Sequence, residues 1–146
     1  MNRELIIENS RKFLGCPWRR SGRLPETGLD CAGLVVCVAQ ELGYPIRDVK
    51  NYQLAGDGRI REYFLRSFEE ISSTSLRLPG DIGLFRFDRT GPAVHAAIFT
   101  GYSRIVHVHI RIRRVVEHDL TPIWEKRLCH VMKFRGAEPW QPSPSQ

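Results

Sequence analysis

No two cysteines in this chain stand in a CxxC pair. Cys16, Cys31, Cys37 and Cys129 are scattered, which argues against a zinc knuckle or a thioredoxin-like redox site. Four cysteines in 146 residues also make a poor disulfide scaffold, because a chain of this length can bury a core of its own. No apolar run approaches the ~20 residues of a membrane-spanning helix. Nothing at the start resembles a secretory signal, since Glu8 and Asn9 interrupt Leu5-Ile6-Ile7. The expectation is a protein made in the cytoplasm, with no insertion into a membrane. Lysine is scarce beside arginine, and the net charge is +6. The basic residues are spread through amphipathic segments and never form a dense aromatic-interleaved stripe, so a nucleic-acid partner is not expected. With 42% hydrophobic and 26% charged residues, the composition is that of an ordinary globular domain.

The pattern changes period along the chain. Residues 3–14 read as an amphipathic helix closed by Gly15 and Pro17, and 16–29 as irregular chain rich in Gly and Pro. Asp30 stands as a cap for a helix from Cys31 to Leu42, which Gly43 and Pro45 close. That helix is apolar nearly all round and is therefore expected at the centre, covered on both flanks. Residues 60–71 suit a further amphipathic helix. Strands are expected at 82–87, 94–100, 105–110, 113–117 and 128–134. Helices followed by a meander of short strands indicate an α+β domain over residues 1–136, with a small antiparallel, barrel-like sheet. Residues 137–146 read as a frayed Pro-rich tail.

Cys37 sits in an apolar run and reads as a small buried hydrophobe, whereas Cys31 opens a helix. There the sulfur lies near unpaired backbone N–H groups and the positive end of the helix dipole, which would favour a thiolate and could hold an oxyanion. Such a thiolate is expected to be the first of the four to react with iodoacetamide. An acyl-transfer cysteine needs a base and a group to orient it. His95 opens a strand, and a turn around Tyr102 and Ser103 would bring His107 back toward it; His109 follows on the same face. His118 and His130 read as surface or edge residues. On spacing alone, other readings stand beside the nucleophile–base pair. One is two polar residues facing solvent from a sheet, and another is a metal bound by Cys31, His95 and His107.

In order along the chain, the residues resemble the NlpC/P60 cell-wall peptidases. Gly15-Cys16-Pro17-Trp18 with Gly22 is similar to that family's Gly-x-Pro-Tyr segment, and Asp30-Cys31-Ala32-Gly33-Leu34-Val35 to its Asp-Cys-Ser-Gly-Leu-Val. Pro79-Gly80-Asp81-Ile82-Gly83-Leu84-Phe85 resembles its Pro-Gly-Asp-Leu-x-x-Phe. His95-Ala96-Ala97-Ile98 resembles its His-Val-Gly-Ile, and Ile105-Val106-His107 the strand bearing its third catalytic residue. The resemblance spans roughly residues 3–135 and implies a papain-like fold with a Cys31, His95, His107 triad and no metal or other cofactor. It further implies a cysteine endopeptidase acting on peptidoglycan stem peptides, typically at a D-γ-glutamyl bond to a diamino acid. Asp30 is the position that holds a free amino terminus in many members, and Trp18 matches a substrate-binding Tyr. Trp18 offers an indole N–H where Tyr would offer a hydroxyl, and Ala32 and Ala97 replace Ser and Gly. The compact form looks most like enzymes carried on phage or gene-transfer-agent tails, whose tail proteins would then be partners. The alternatives are a thiol amidase or esterase for another substrate, and an inactive structural tail component.

Overall fold

The computed structural model describes residues 1–48 and 58–142. Chain order is α1 (Arg3–Arg11), β1 (Arg23–Leu24), β2 (Gly28–Leu29), α2 (Cys31–Glu41), α3 (Ile60–Leu65), β3 (Glu69–Glu70), then β4 (Ile82–Phe85). It continues through β5 (His95–Gly101), β6 (Arg104–His109), β7 (Arg114–Asp119), α4 (Pro122–Arg127) and β8 (Leu128–Lys133).

Helix α2 is the axle. The Asp30 side chain accepts from the Gly33 N–H at 2.7 Å, a cap of the kind that contributes about 1 kcal/mol. Every residue from Cys31 to Ala39 is buried, as expected for a helix covered on both sides. Helix α1 and strands β1, β5 and β6 pack around it. Gly33 lies where a Cβ would sit 2.0 Å from the Gly22 carbonyl oxygen. The missing side chain therefore lets the loop before β1 close over the first turn of α2.

Among the described residues, β3-β8-β4-β5-β6-β7 form one sheet in which every pairing is antiparallel. The antiparallel sheet expected from the sequence is thus present, and among the described residues its outer strands β3 and β7 are not paired to each other to close a barrel. One face carries Leu84, Ala96, Ile98 and Val106 against α2. The other carries Phe85, Ala97, Phe99, Ile105 and Val131 beneath Trp124 of α4. The turn at Pro79-Gly80-Asp81 ties α1 to the sheet. Buried Arg3 donates to Asp81 at 2.6 Å, and Gly80 N–H donates to the Phe99 carbonyl at 2.7 Å.

The structure departs from the sequence reading at several elements. Helix α1 stops at Arg11, and Lys12–Gly15 form turns ending at Gly15, whose φ is +87°. The helix expected over 60–71 ends at Leu65. Phe68 leaves it to stack on Tyr44 (5.3 Å) and meet Phe134 edge-on (4.9 Å), and Glu69–Glu70 then pair with Lys133 and Met132. The segment 16–29 is not wholly irregular, for β1 and β2 form a hairpin within it. Helix α4, capped by Thr121 with Pro122 in its first turn, was not anticipated. The C-terminal segment begins tied down, with Glu138 N–H on the Met1 carbonyl at 2.9 Å; 143–146 lie outside the described residues.

Candidate active site

Helix α2 delivers Cys31 to the start of β5. The backbone N–H groups of Ala32 and Ala96 hydrogen-bond toward its sulfur, and Ala96 directly follows His95. The thiol is 5% exposed. The sequence expectation of a lowered thiol pKa is overturned. Burial, with the Asp30 carboxylate next to it, pushes Cys31 up to about 12 and outweighs the two N–H donors and Arg23. The cap that starts the helix thus places a negative charge beside the sulfur.

His95 is buried at 2% exposure on β5. Pairing of Ile98 with Val106 sets the β5–β6 register and puts His107 diagonally across from it. The contact is direct, with His95 Nε2 and His107 Nδ1 at 2.8 Å and the rings nearly perpendicular. This leaves Nδ1 of His95 for a second partner. Burial first, then the charge of His109, lowers His95 to about 3, and burial holds His107 still further below the ordinary imidazole range. Around neutral pH the free protein therefore holds a thiol beside neutral imidazoles.

Three further residues complete the surroundings, and sequence reading assigned none of them to the site. His118, read as a surface or edge residue, does lie on the outer strand β7, but places Nε2 2.7 Å from His107 Nε2. It lies on β7 two residues beyond Val116, the partner of His107, and so on the same face. Trp124 covers the row, its ring centroid 6.0 Å from that of His95, 4.9 Å from His107 and 5.6 Å from His118. Phe87 lies 5.2 Å from His95 on another side. Alternation of Val116 and His118 was the available signal for the first. Nothing local marks Trp124, which depends on how α4 folds back.

The other expected site residues sit differently. Asp30 is 4% exposed, and its oxygens accept from Gly33 N–H (2.7 Å), Arg23 Nη1 (2.9 Å) and Ser21 N–H (3.1 Å). Arg23 was not anticipated. Trp18 is half-buried, its backbone paired with Arg113 and its ring covered by the Arg113 guanidinium at 4.7 Å. His109 faces the row but takes the N–H groups of Arg111 and Ile112 on its Nδ1, each at 3.2 Å. His130 pairs with Glu70 at 2.8 Å, away from Cys31. Among the described residues no three His, Cys, Asp or Glu side chains are grouped to hold a metal ion, and no helix is long and apolar enough to cross a membrane.

Comparison with known proteins gives a consistent family. The gamma-DL-glutamyl hydrolase of Bacillus subtilis (strain 168) is 23% identical over 131 residues, which are 88% of this chain and 29% of that protein. Murein DD-endopeptidase MepH of Escherichia coli (strain K12) is 29% identical over 93 residues, 64% of this chain and 31% of its own. The chain thus spans about three-tenths of the length of these curated relatives. Among solved structures, NlpC1 from Trichomonas vaginalis shares the fold with a TM-score of 0.72 at 18% identity, over 90% of this chain and 44% of that one. The sequence pattern of the NlpC/P60 family matches residues 15–133, and the chain belongs to that family.

Proposed function

We propose that this chain is a cysteine peptidase that hydrolyses peptide bonds in peptidoglycan stem peptides. The observation that supports it most is the buried 2.8 Å contact of His95 Nε2 with His107 Nδ1, one residue from the backbone N–H that meets the Cys31 sulfur. A nucleophile, a base with one ring nitrogen unengaged by its orienting partner, and that partner stand in order.

In the proposed reaction, Nδ1 of His95 takes the thiol proton as the Cys31 sulfur attacks the substrate carbonyl carbon. The oxyanion forms at the first turn of α2, where the Cys31 backbone N–H donates to it. The C–N bond then breaks, and the proton on Nδ1 passes to the leaving amine. Water, deprotonated by the same nitrogen, attacks the thioester and returns the thiol. His107 accepts the Nε2–H of His95 throughout and holds the ring in place. Because burial keeps both groups uncharged at rest, the imidazolium exists only while substrate negative charge balances it.

The bond we favour is that of D-γ-glutamate to a diamino acid; the gamma-DL-glutamyl hydrolase relative supports its γ-glutamyl side alone, and the murein endopeptidase supports the wall substrate. The +6 charge suits an anionic wall. Carriage on a phage-like tail belongs to the same reading through the Trp18-Arg19-Arg20 segment, and blotting purified particles for the chain tests it. A second reading, a thiol amidase for substrates without a free amino group, draws on Asp30: Arg23 already balances its charge, which reduces its pull on a substrate ammonium.

Defined stem peptides containing the D-γ-glutamyl–diamino acid bond, incubated with the protein and analysed by mass spectrometry, test class and bond together. Cleavage at that bond that disappears in Cys31→Ala is expected. Cleavage surviving that substitution would remove Cys31 as nucleophile, and cleavage elsewhere would move the bond.

A further inference from the structure

The histidine row does not end at His107. His118 Nε2 meets His107 Nε2 at 2.7 Å, and His118 Nδ1 meets the backbone carbonyl oxygen of Asp119 at 2.8 Å. We propose that His118, anchored on the Asp119 carbonyl, is a positioning residue that fixes the proton placement on His107 and His95 and so keeps Nδ1 of His95 bare.

A row of neutral imidazoles linked N–H to N can point its protons either way, and nothing inside the row prefers one direction. The Asp119 carbonyl breaks the tie, because a carbonyl only accepts. A His118 ring carrying one proton must present it to that oxygen from Nδ1, which leaves Nε2 as acceptor. His107 must then donate from Nε2, leaving its Nδ1 to accept. His95 must donate from Nε2, and its remaining lone pair falls on Nδ1. The reversed row would set a nitrogen lone pair against the carbonyl oxygen at 2.8 Å and place a proton on His95 Nδ1, where the base is needed.

The surroundings keep the choice from being blurred. Trp124 flanks His107 and His118, its ring centroid 4.9 and 5.6 Å from theirs. His109, 5.5 Å from the His107 ring, has its Nδ1 occupied by two backbone N–H groups. The Asp119 carboxylate is turned to Arg104 at 2.9 Å, and Glu117 is held by Thr100 (2.7 Å), Arg11 (2.9 Å) and Arg104 (3.1 Å). The carbonyl is thus the group that sets the direction. The role in catalysis rests on His95 acting as base, as proposed above; the proton placement does not.

Imidazole nitrogen NMR on the full chain, with kinetics on the stem peptide, tests the idea. The wild type should show His95 and His107 as Nε2–H tautomers and His118 as Nδ1–H. His118→Phe, with no acceptor, should lower kcat about tenfold or more with KM little changed. His118→Gln, whose amide oxygen can accept from His107, should restore most of that loss. His118→Lys, which only donates, should invert His107 to Nδ1–H and cost about a hundredfold or more, as a base in the wrong tautomer does. An Nδ1–H His107 in the wild type overturns the proposal, as does His118→Phe turning over at the wild-type rate. Should the lysine variant not fold, the Phe and Gln pair decides. Activity surviving Cys31→Ala would refute Cys31 as the nucleophile while leaving the tautomer measurement to judge this one.

Discussion

Acid should destabilise this protein chiefly through its buried histidines, and the size of the effect follows from the site. Burial, then the charge of His109, lowers His95 from 6.5 to about 3. An unfolded chain takes up that proton near pH 6.5, whereas the folded one resists it until about pH 3. Between those limits the unfolded state binds more protons. Stability is therefore full above about pH 6.5, falls as pH falls, and stops falling from this source below about pH 3. At pH 4 the gap is about 2.5 pH units, and about 1.4 kcal/mol for each gives roughly 3.5 kcal/mol from His95 alone. His107, lowered by burial and its histidine neighbours, adds to the loss in the same direction. Urea unfolding of the wild type and of His95→Gln at pH 7 and pH 4 measures it. Surface carboxylates contribute equally to both proteins and cancel in the comparison. The substitution should cost stability at pH 7, and the variant should lose about 3 kcal/mol less than the wild type on going to pH 4. Equal losses would refute a buried, uncharged His95.

The order of cysteine reactivity should reverse the sequence expectation. With Cys31 at 5% exposure and raised to about 12, iodoacetamide at neutral pH should label the half-buried Cys129, which takes a hydrogen bond from Arg86 Nε at 3.1 Å, before Cys31. Peptide mapping after timed quenching reads the order. Gly33→Ala should destabilise by about 2 kcal/mol or more, because a Cβ 2.0 Å from the Gly22 carbonyl forces the loop off the first turn of α2. Thermal melting checks the size of that loss. Arg3→Met should cost about 3–5 kcal/mol by stranding the Asp81 carboxylate, which is 1% exposed, and denaturant unfolding measures it. Restoration by the double variant Arg3→Met, Asp81→Leu would show that the stranded charge, not lost packing, was responsible.

The parts of the site legible in the sequence were those written in local pattern. Asp30 before Cys31 announced both the cap and the helix start, and the unbroken apolar run to Ala39 announced a buried axle. Alternation along 105–109 and the turn at Tyr102 were enough to bring His107 toward His95. What escaped reading depends on long-range pairing. His118 reaches His107 only because β7 pairs with β6 in a particular register, and one residue of slip would turn it to the opposite face. Trp124 covers the histidines only because α4 packs back over the sheet. Phe68 fits a helical stripe as well as an aromatic cluster, so α3 looked longer than it is. The thiol's pKa was misjudged for a different reason. A helix start argues for a thiolate only where the sulfur stays partly solvated, and here burial and the Asp30 charge dominate.

The central claim is that the Cys31 sulfur attacks the scissile carbonyl. Rapid acid quenching of the protein during turnover of a stem peptide, followed by intact-mass and peptide-level mass spectrometry, tests it most directly. The account predicts a thioester carrying the amino-terminal half of the substrate on Cys31 of the wild type, and none when His95, which serves acylation as well as hydrolysis, is replaced. Turnover with no acyl group on any cysteine, or with the acyl group on Cys16 or Cys129, would contradict it.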